Sequence, residues 1–384
     1  MKILHLCLAS FYVDNYSYQE NMLPKYHKLL GLEVEIIASL VSFDENGKSC
    51  LLENSSQYVN EHGIPVTRLE YKKSLESRRL RRYVGTFEAI SSAKPDIIFI
   101  HGCQFLDILQ VVKYVKKNPN VLIYVDNHAD FSNSATNWLS KNILHKIIWK
   151  KCAKLIEPFT EKFYGVLPAR VDFLKNVYSL PKEKVELLVM GADNEKIEEA
   201  KNPSIKSKIR NQYNILPTDF LIITGGKIDK AKKQTILLMQ AIKKIDNPNV
   251  KLIVFGSIIE ELKEEVFNLI DGEKIQYIGW LKGEDSYKYF ASADLAVFPG
   301  RHSVYWEQVV GLGIPAIFKK WDGTSHVDIG GNCSFLFNDS VEEIKKNIDL
   351  LLNDKDKYLD MKSIAEKKGM QEFSYLDIAK RSIN

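Results

Sequence analysis

Short apolar runs of strand length alternate with helix-period segments from one end of the chain to the other, and this alternation limits the possible folds most sharply. In the first half the runs fall at residues 2–8, 33–38, 65–69, 97–100, 121–125 and 187–190, with helical patterns at 19–30, 77–93 and 106–116. In the second half they recur at 220–224, 250–255, 275–278, 295–298, 316–318 and 334–337. Runs apolar at every position suit parallel strands buried on both faces, with helices as the crossovers. The expected class is α/β, with two doubly wound Rossmann-like domains facing a cleft. A chain of 384 residues also exceeds one ordinary core. The boundary is expected within 191–218, where strand character stops and a charged stretch with Asn and Pro intervenes. This gives domains at residues 1–195 and 196–365, and a terminal helix at 366–384 that packs back on the first.

Composition narrows the setting. With 45% hydrophobic and 27% charged residues and a net charge of +4, the chain leaves little room for a long disordered tail and is not strongly basic. Its five cysteines (Cys7, Cys50, Cys103, Cys152, Cys333) are far apart with no Cys-x-x-Cys, so neither a disulfide framework nor a zinc module is suggested and a reducing cytoplasm fits. His5 interrupts the opening apolar run, and Tyr12-Val-Asp-Asn follows in place of a small-residue cleavage site. No window reaches the roughly 18 consecutive apolar residues of a membrane span. Any membrane contact is therefore expected to be peripheral, on the inner face.

Two basic stretches bear on that contact. Residues 68–82 hold seven Lys/Arg against two Glu, and residues 141–154 hold five Lys and no acid. In the second, Lys146, Lys150 and Lys154 form an i, i+4, i+8 row beside Ile143, Leu144, Ile147, Ile148 and Trp149. They read either as solvated helices packed on a core or as a face for an anionic membrane. Nucleic acid is disfavoured, because no aromatic platform accompanies the cations.

The densest chemical signal is Ile222-Ile-Thr-Gly-Gly-Lys-Ile-Asp-Lys-Ala-Lys232, an apolar strand running into Gly225-Gly226, then Lys227 and Lys232, then an apolar-periodic helix. Helix N-terminal N–H groups and ammonium ions that converge in this way suit a phosphate, and glycine lets the backbone approach it closely. Residues 299–315 repeat the logic, with Arg301, His302, Ser303 and Val304 preceding Tyr305, Trp306 and Glu307 at a helix start. The cations and N–H groups suit a pyrophosphate, and the carboxylate suits a ribose diol. Two bland alternatives are solvated surface lysines and a glutamate that merely complements a helix dipole. Gly311 and Gly313 weaken a helix unless something passes close by.

Gly226-Lys227 with Lys232, then Gly256, Gly279, Ala293-Asp294, Pro299, Glu307 and Gly313-Ile314-Pro315 resemble the carboxyl-terminal donor domain of family-4 retaining glycosyltransferases, which have the two-domain GT-B fold. The resemblance implies that Lys227 and Lys232 hold the donor diphosphate and Glu307 its ribose. It places the donor domain in the second half and an acceptor-side domain in the first. The family's earlier glutamate is missing, since Arg301-His302-Ser303-Val304 occupies its loop. Asp14–Asn21 replaces its amino-terminal Gly-Gly loop, and Met190-Gly191-Ala192-Asp193 stands for its Asn-Gly-Val-Asp turn.

His128, in Tyr124-Val-Asp-Asn-His-Ala-Asp130, follows a strand whose end faces the expected cleft. A lone histidine is often structural, but relatives keep one near the transferred sugar. His128 is therefore the candidate catalytic and acceptor-side residue beside Lys227 and Lys232, with Asp130, Asp126 and Asn127 as hydrogen-bond partners and His101 as a weaker candidate. No His or carboxylate cluster shows metal-ligand spacing, so neither metal nor cofactor is expected. The implied activity is transfer of a hexosyl unit from a nucleotide diphosphate sugar, with uridine favoured and the base read near residues 278–281. The acceptor would be a hydroxyl of a cell-surface glycan or lipid-linked saccharide, and configuration would be retained. A nucleotide-sugar epimerase of the same fold and a non-catalytic binding subunit are the alternatives.

Overall fold

A computed structural model describes residues 1–9, 11–44, 49–230 and 232–384, so Ala231, inside the lysine motif, lies outside the described residues. By internal contacts the chain divides into unit 1, Met1–Val189 with Leu376–Asn384, and unit 2, Met190–Tyr375.

Unit 1 contains β1 (Lys2–Cys7), β2 (Glu33–Ser39), β3 (Val41–Phe43), β4 (Ser49–Leu51), β5 (Ser56–Val59), β6 (Pro65–Leu69), β7 (Ile97–His101), β8 (Leu122–Asn127), β9 (Thr160–Gly165) and β10 (Val185–Leu187). Its main sheet runs β10-β9-β8-β7-β1-β2-β6-β5, and β3 and β4 form a separate antiparallel pair. All main-sheet neighbours are parallel except β5 on β6. The central strands are buried at nearly every position, because helices cover both faces. Each fully buried aliphatic side chain, such as Leu4, Ile98 or Ile123, contributes roughly 1.5–3 kcal/mol.

Unit 2 contains β11 (Phe220–Gly225), β12 (Val250–Phe255), β13 (Ile275–Tyr277), β14 (Leu295–Phe298), β15 (Ala316–Lys319) and β16 (Cys333–Leu336), all parallel, in the order β13-β12-β11-β14-β15-β16. Ile222, Leu252, Val254, Leu295 and Val297 meet Ile236, Met239 and Ile242 of the helix Gln234–Lys243 in its core. Counted within the unit, this is the classical Rossmann order 3-2-1-4-5-6. The α/β class with two Rossmann-like domains therefore holds.

Three expectations are corrected. The helix expected at 77–93 is two, Leu75–Arg79 and Thr86–Ala93, separated by Arg81 and Gly85 at positive φ. Tyr83, between them, is drawn into the core, where its Oη donates to Leu8 O at 2.6 Å and its N–H to Asp107 Oδ2 at 2.7 Å. The strand expected at 187–190 lies earlier, at Val185–Leu187, where it pairs with β9, a strand the apolar pattern does not show because it opens Thr-Glu-Lys. The basic stretch 68–82 is not one surface face. Arg68 is buried and donates to Tyr58 Oη, Ser39 O and Asp14 Oδ2.

Candidate functional site

In unit 2 the crossovers from β11 and β14 leave toward opposite sides of the sheet. A crevice opens above the carboxyl ends of these neighbouring strands, the usual ligand position in doubly wound sheets. β11 runs into Gly226, whose φ of +119° favours glycine. A Cβ there would lie 3.9 Å from both Lys232 Nζ and the Tyr305 ring. Asp229 closes the intervening turn: its carbonyl and its Oδ1 both accept the Lys232 N–H, at 2.9 and 3.1 Å. A Cβ on Gly300, just beyond β14, would lie 3.4 Å from Lys232 Cα. Lys232 therefore sits between the two strand ends.

Burial holds the Lys232 ammonium below the usual lysine range; the Asp229 carboxylate opposes the shift and the Arg301 guanidinium adds to it. A poorly solvated cation of this kind gains most from a bound anion. Lys227 is exposed on the same loop. The helix Tyr305–Leu312 begins directly beyond this point with no side-chain cap. Ser303 O and Val304 O accept the N–H groups of Trp306 and Gln308. The structure thus gathers Gly226, Lys232, Arg301 and the Tyr305 helix start around one crevice.

Glu307 is fully buried in the first turn of that helix. Its Oε1 accepts from Nε2 of His302 and Nε2 of His326, each at 2.8 Å. Burial pushes its pKa up, but the two imidazoles prevail and hold it down to about 2. Its Oε2 has no hydrogen-bond partner among the described residues, and neither do the two side-chain amide atoms of buried Gln308. His302 thus turns Nε2 inward to Glu307. His326 and Gln308 escaped the sequence reading: His326 lies 19 residues from Glu307 in the short 3-10 turn Ser325–Val327, which carries no motif, and a glutamine in an apolar helix carries no signal of its own. Gly311 and Gly313 do have something passing close by, the helix Lys355–Phe373. Its Gly369 packs on Val310 and Gly311, and its Glu366 on Gly313.

In unit 1 a line of polar side chains runs from the helix Gln19–Leu29 through the interior of β1 to the ends of β7 and β8. His27 Nε2 meets Ala379 O at 3.1 Å and Ser382 Oγ at 3.0 Å. His27 Nδ1 meets His5 Nε2 at 3.0 Å, and His5 Nδ1 meets His101 Nε2 at 3.0 Å. His101 Nδ1 then meets Asp126 Oδ2 at 2.8 Å, and all these side chains are buried. His128, one-quarter exposed, places Nε2 3.3 Å from the same Asp126 oxygen and 3.8 Å from Glu20 Oε1. Burial opposes its charge, but Glu20 and Asp126 prevail and raise its pKa. Asp130 is engaged elsewhere: Oδ1 accepts from Ser132 and Oδ2 from Arg170 Nε at 3.2 Å. His128 is therefore grouped with Asp126 and Glu20, and Asp130 organises its own loop.

Two groups, Glu20–His101–His128 and His302–Glu307–His326, bring candidate metal-ligand atoms within 4.8 Å of one another. Neither shows in linear spacing. Hydrogen bonds already engage both ring nitrogens of His101 and the Nε2 atoms of His302 and His326.

Two doubly wound units, the second with a glycine turn and cations at its topological switch point, define the GT-B fold class. Residues 205–368, which include the whole crevice, match the family model of glycosyl transferases group 1. An uncharacterized glycosyltransferase of Methanocaldococcus jannaschii is 19% identical over 217 residues, 54% of this chain and 55% of that protein, so the chain spans about half the length of this curated relative. HepE of Anabaena in complex with UDP is similar in structure, with TM-score 0.69, 16% identity and coverage of 99% and 98% of the two chains. UDP-GlcNAc 2-epimerase of Neisseria meningitidis bound to UDP-GlcNAc gives TM-score 0.65, 12% identity and coverage of 100% and 99%.

Proposed function

We propose that the chain is a retaining, hexosyl-type glycosyltransferase that works in the cytoplasm. It takes sugar from a nucleoside diphosphate sugar, uridine being the favoured base, and gives it to a hydroxyl of a cell-surface glycan or lipid-linked saccharide. The observation that carries this reading is the switch-point crevice of unit 2, where a desolvated Lys232 meets Gly226 and an uncapped helix start. The family match over the same residues and the fold shared with HepE, a UDP-bound protein, support it.

Breaking the anomeric C–O bond leaves negative charge on the departing diphosphate oxygen. Lys232, Lys227, Arg301 and the Tyr305 helix start oppose that charge where it develops. The acceptor oxygen bonds to the anomeric carbon on the face being vacated, and its proton passes to the departing phosphate oxygen, so configuration is retained. Glu307, buried beneath two imidazoles, is no nucleophile. Its unpartnered Oε2 is the group assigned to a ribose hydroxyl, which reaches this fully buried carboxylate when the imidazoles that cover it move aside. His128 is assigned to the acceptor, and no metal is required.

The epimerase reading is favoured by one observation, the Glu20–Asp126–His128 group of unit 1, which offers acid and base together. Incubation with UDP-sugars separates the readings. A transferase extends a saccharide or lipid-linked acceptor and leaves the donor's configuration unchanged without acceptor, whereas an epimerase converts the sugar with no acceptor present. Turnover is expected to be unaffected by a chelator. Donor binding without turnover of either kind would leave a binding subunit.

A further inference from the structure

We propose that the outward face of the segment following β8 is a docking surface for an anionic lipid bilayer, a partner that donor chemistry neither requires nor implies. Beyond His128 the chain enters a π-helical stretch, Ser140–Trp149, continued by the helix Lys150–Ile156. The inward side is already committed to the core: His145, Trp149, Cys152, Ala153 and Ile156 are buried, and Leu144 and Ile148 pack against the same cluster. The apolar residues left outside are therefore a surplus. Trp138 is 71% exposed, Leu139 59%, Ile147 57% and Phe131 50%. Single exposed apolar residues need no explanation, but a large indole and three more such side chains on one short segment do.

The charge on this segment is of one sign. Residues 131–156 contain five lysines and neither Asp nor Glu. Lys141, Lys146 and Lys151 are exposed, Lys154 is engaged by Glu157 at 3.4 Å, and Lys141 Nζ stands 4.9 Å from the centre of the Phe131 ring. Lysines whose stems lie along apolar rings can lift their ammonium groups to lipid phosphates while the rings enter the interface, where indoles are favoured. A bilayer of negative charge complements both features at once. The helix contributes differently from its linear pattern: Leu144, Ile148 and Trp149 face inward, while Trp138, Leu139 and Phe131 supply the apolar surface. The surface begins within a few residues of His128, so docking would bring that end of unit 1 to a membrane-borne acceptor.

Sedimentation with phosphatidylcholine vesicles, with and without phosphatidylglycerol, tests the surface on the full chain. The wild type is expected to sediment with the anionic vesicles only and to be released by salt. Trp138→Ala with Leu139→Ala, and separately Lys141→Glu with Lys146→Glu and Lys151→Glu, should each weaken that binding by on the order of tenfold or more. These exposed positions leave the fold and UDP binding by unit 2 unchanged, so a failure here is distinct from a failure of the proposed activity. Absence of wild-type binding to anionic vesicles at low salt, or unchanged binding by the charge-reversed variant, overturns the proposal. So does an oligomer in light scattering that the Trp138 variant abolishes, which would give the face to a second copy of the chain.

Discussion

A single hydroxyl sets the direction of the imidazole line in unit 1. Ser382 donates its O–H to Ala379 O at 2.8 Å, so its oxygen, like that carbonyl, can only accept from His27 Nε2. His27 Nδ1 must then accept from His5 Nε2–H, and His5 Nδ1 from His101 Nε2–H. At the end of the line His101 Nδ1 faces an Asp126 carboxylate whose acidity is strengthened by His101 and His128 against its burial. Nitrogen-15 NMR at neutral pH should find His5 and His27 as neutral Nε2–H tautomers; an Nδ1–H tautomer of either would contradict this order.

The same line sets a pH dependence. Burial holds His27 down to about 4, so the unfolded chain binds its proton first. The stabilisation is complete above about pH 6.5, declines as pH falls toward 4, and amounts to roughly 3 kcal/mol. Thermal unfolding followed from pH 7 to 4 should show this loss, and His27→Gln should flatten it. Of these residues His128, His101 and Asp126 stood out in the sequence, because they lie at the ends of apolar strands. His5 lies inside a strand and His27 inside a helix, and nothing in their spacing shows that they meet. Lys232 and Gly226 were legible for the opposite reason: a strand, a glycine turn and a helix are contiguous, so their chemistry is local.

At the level of elements, the helix Tyr305–Leu312 is held by a close crossing with Lys355–Phe373. A Cβ on Gly369 would come within 2.1 Å of Val310 O, a backbone atom that cannot swing away. Gly369→Ala should therefore part the two helices and cost about 1–3 kcal/mol, and Gly369→Val more. Calorimetry should show a melting temperature lower by several degrees; an unchanged value would mean that the crossing is looser than described. The parallel strands of unit 2 were legible as apolar runs because both faces are buried. β9 was not, since its first residues are polar, and the break between Leu75–Arg79 and Thr86–Ala93 depends on Tyr83 reaching Leu8, a tertiary contact without local warning.

For the molecule as a whole, the proposed division of labour rests on two separate switch points. Unit 2 offers desolvated positive charge and, beside it, the unsatisfied atoms of buried Glu307 and Gln308; unit 1 offers a histidine raised by two carboxylates. Nucleotide affinity should therefore respond to changes in unit 2 and remain indifferent to His128→Ala, which can be read by thermal shift with UDP. A loss of UDP binding in His128→Ala would count against this division. The most direct measurement is calorimetric titration of UDP into the wild type and Lys232→Ala. Saturable wild-type binding that weakens roughly 10–100-fold in the variant, the loss expected for one charge-assisted contact, is the predicted result. Equal affinity in the two proteins, or no binding by the wild type, would contradict a diphosphate site at the β11–β14 crevice.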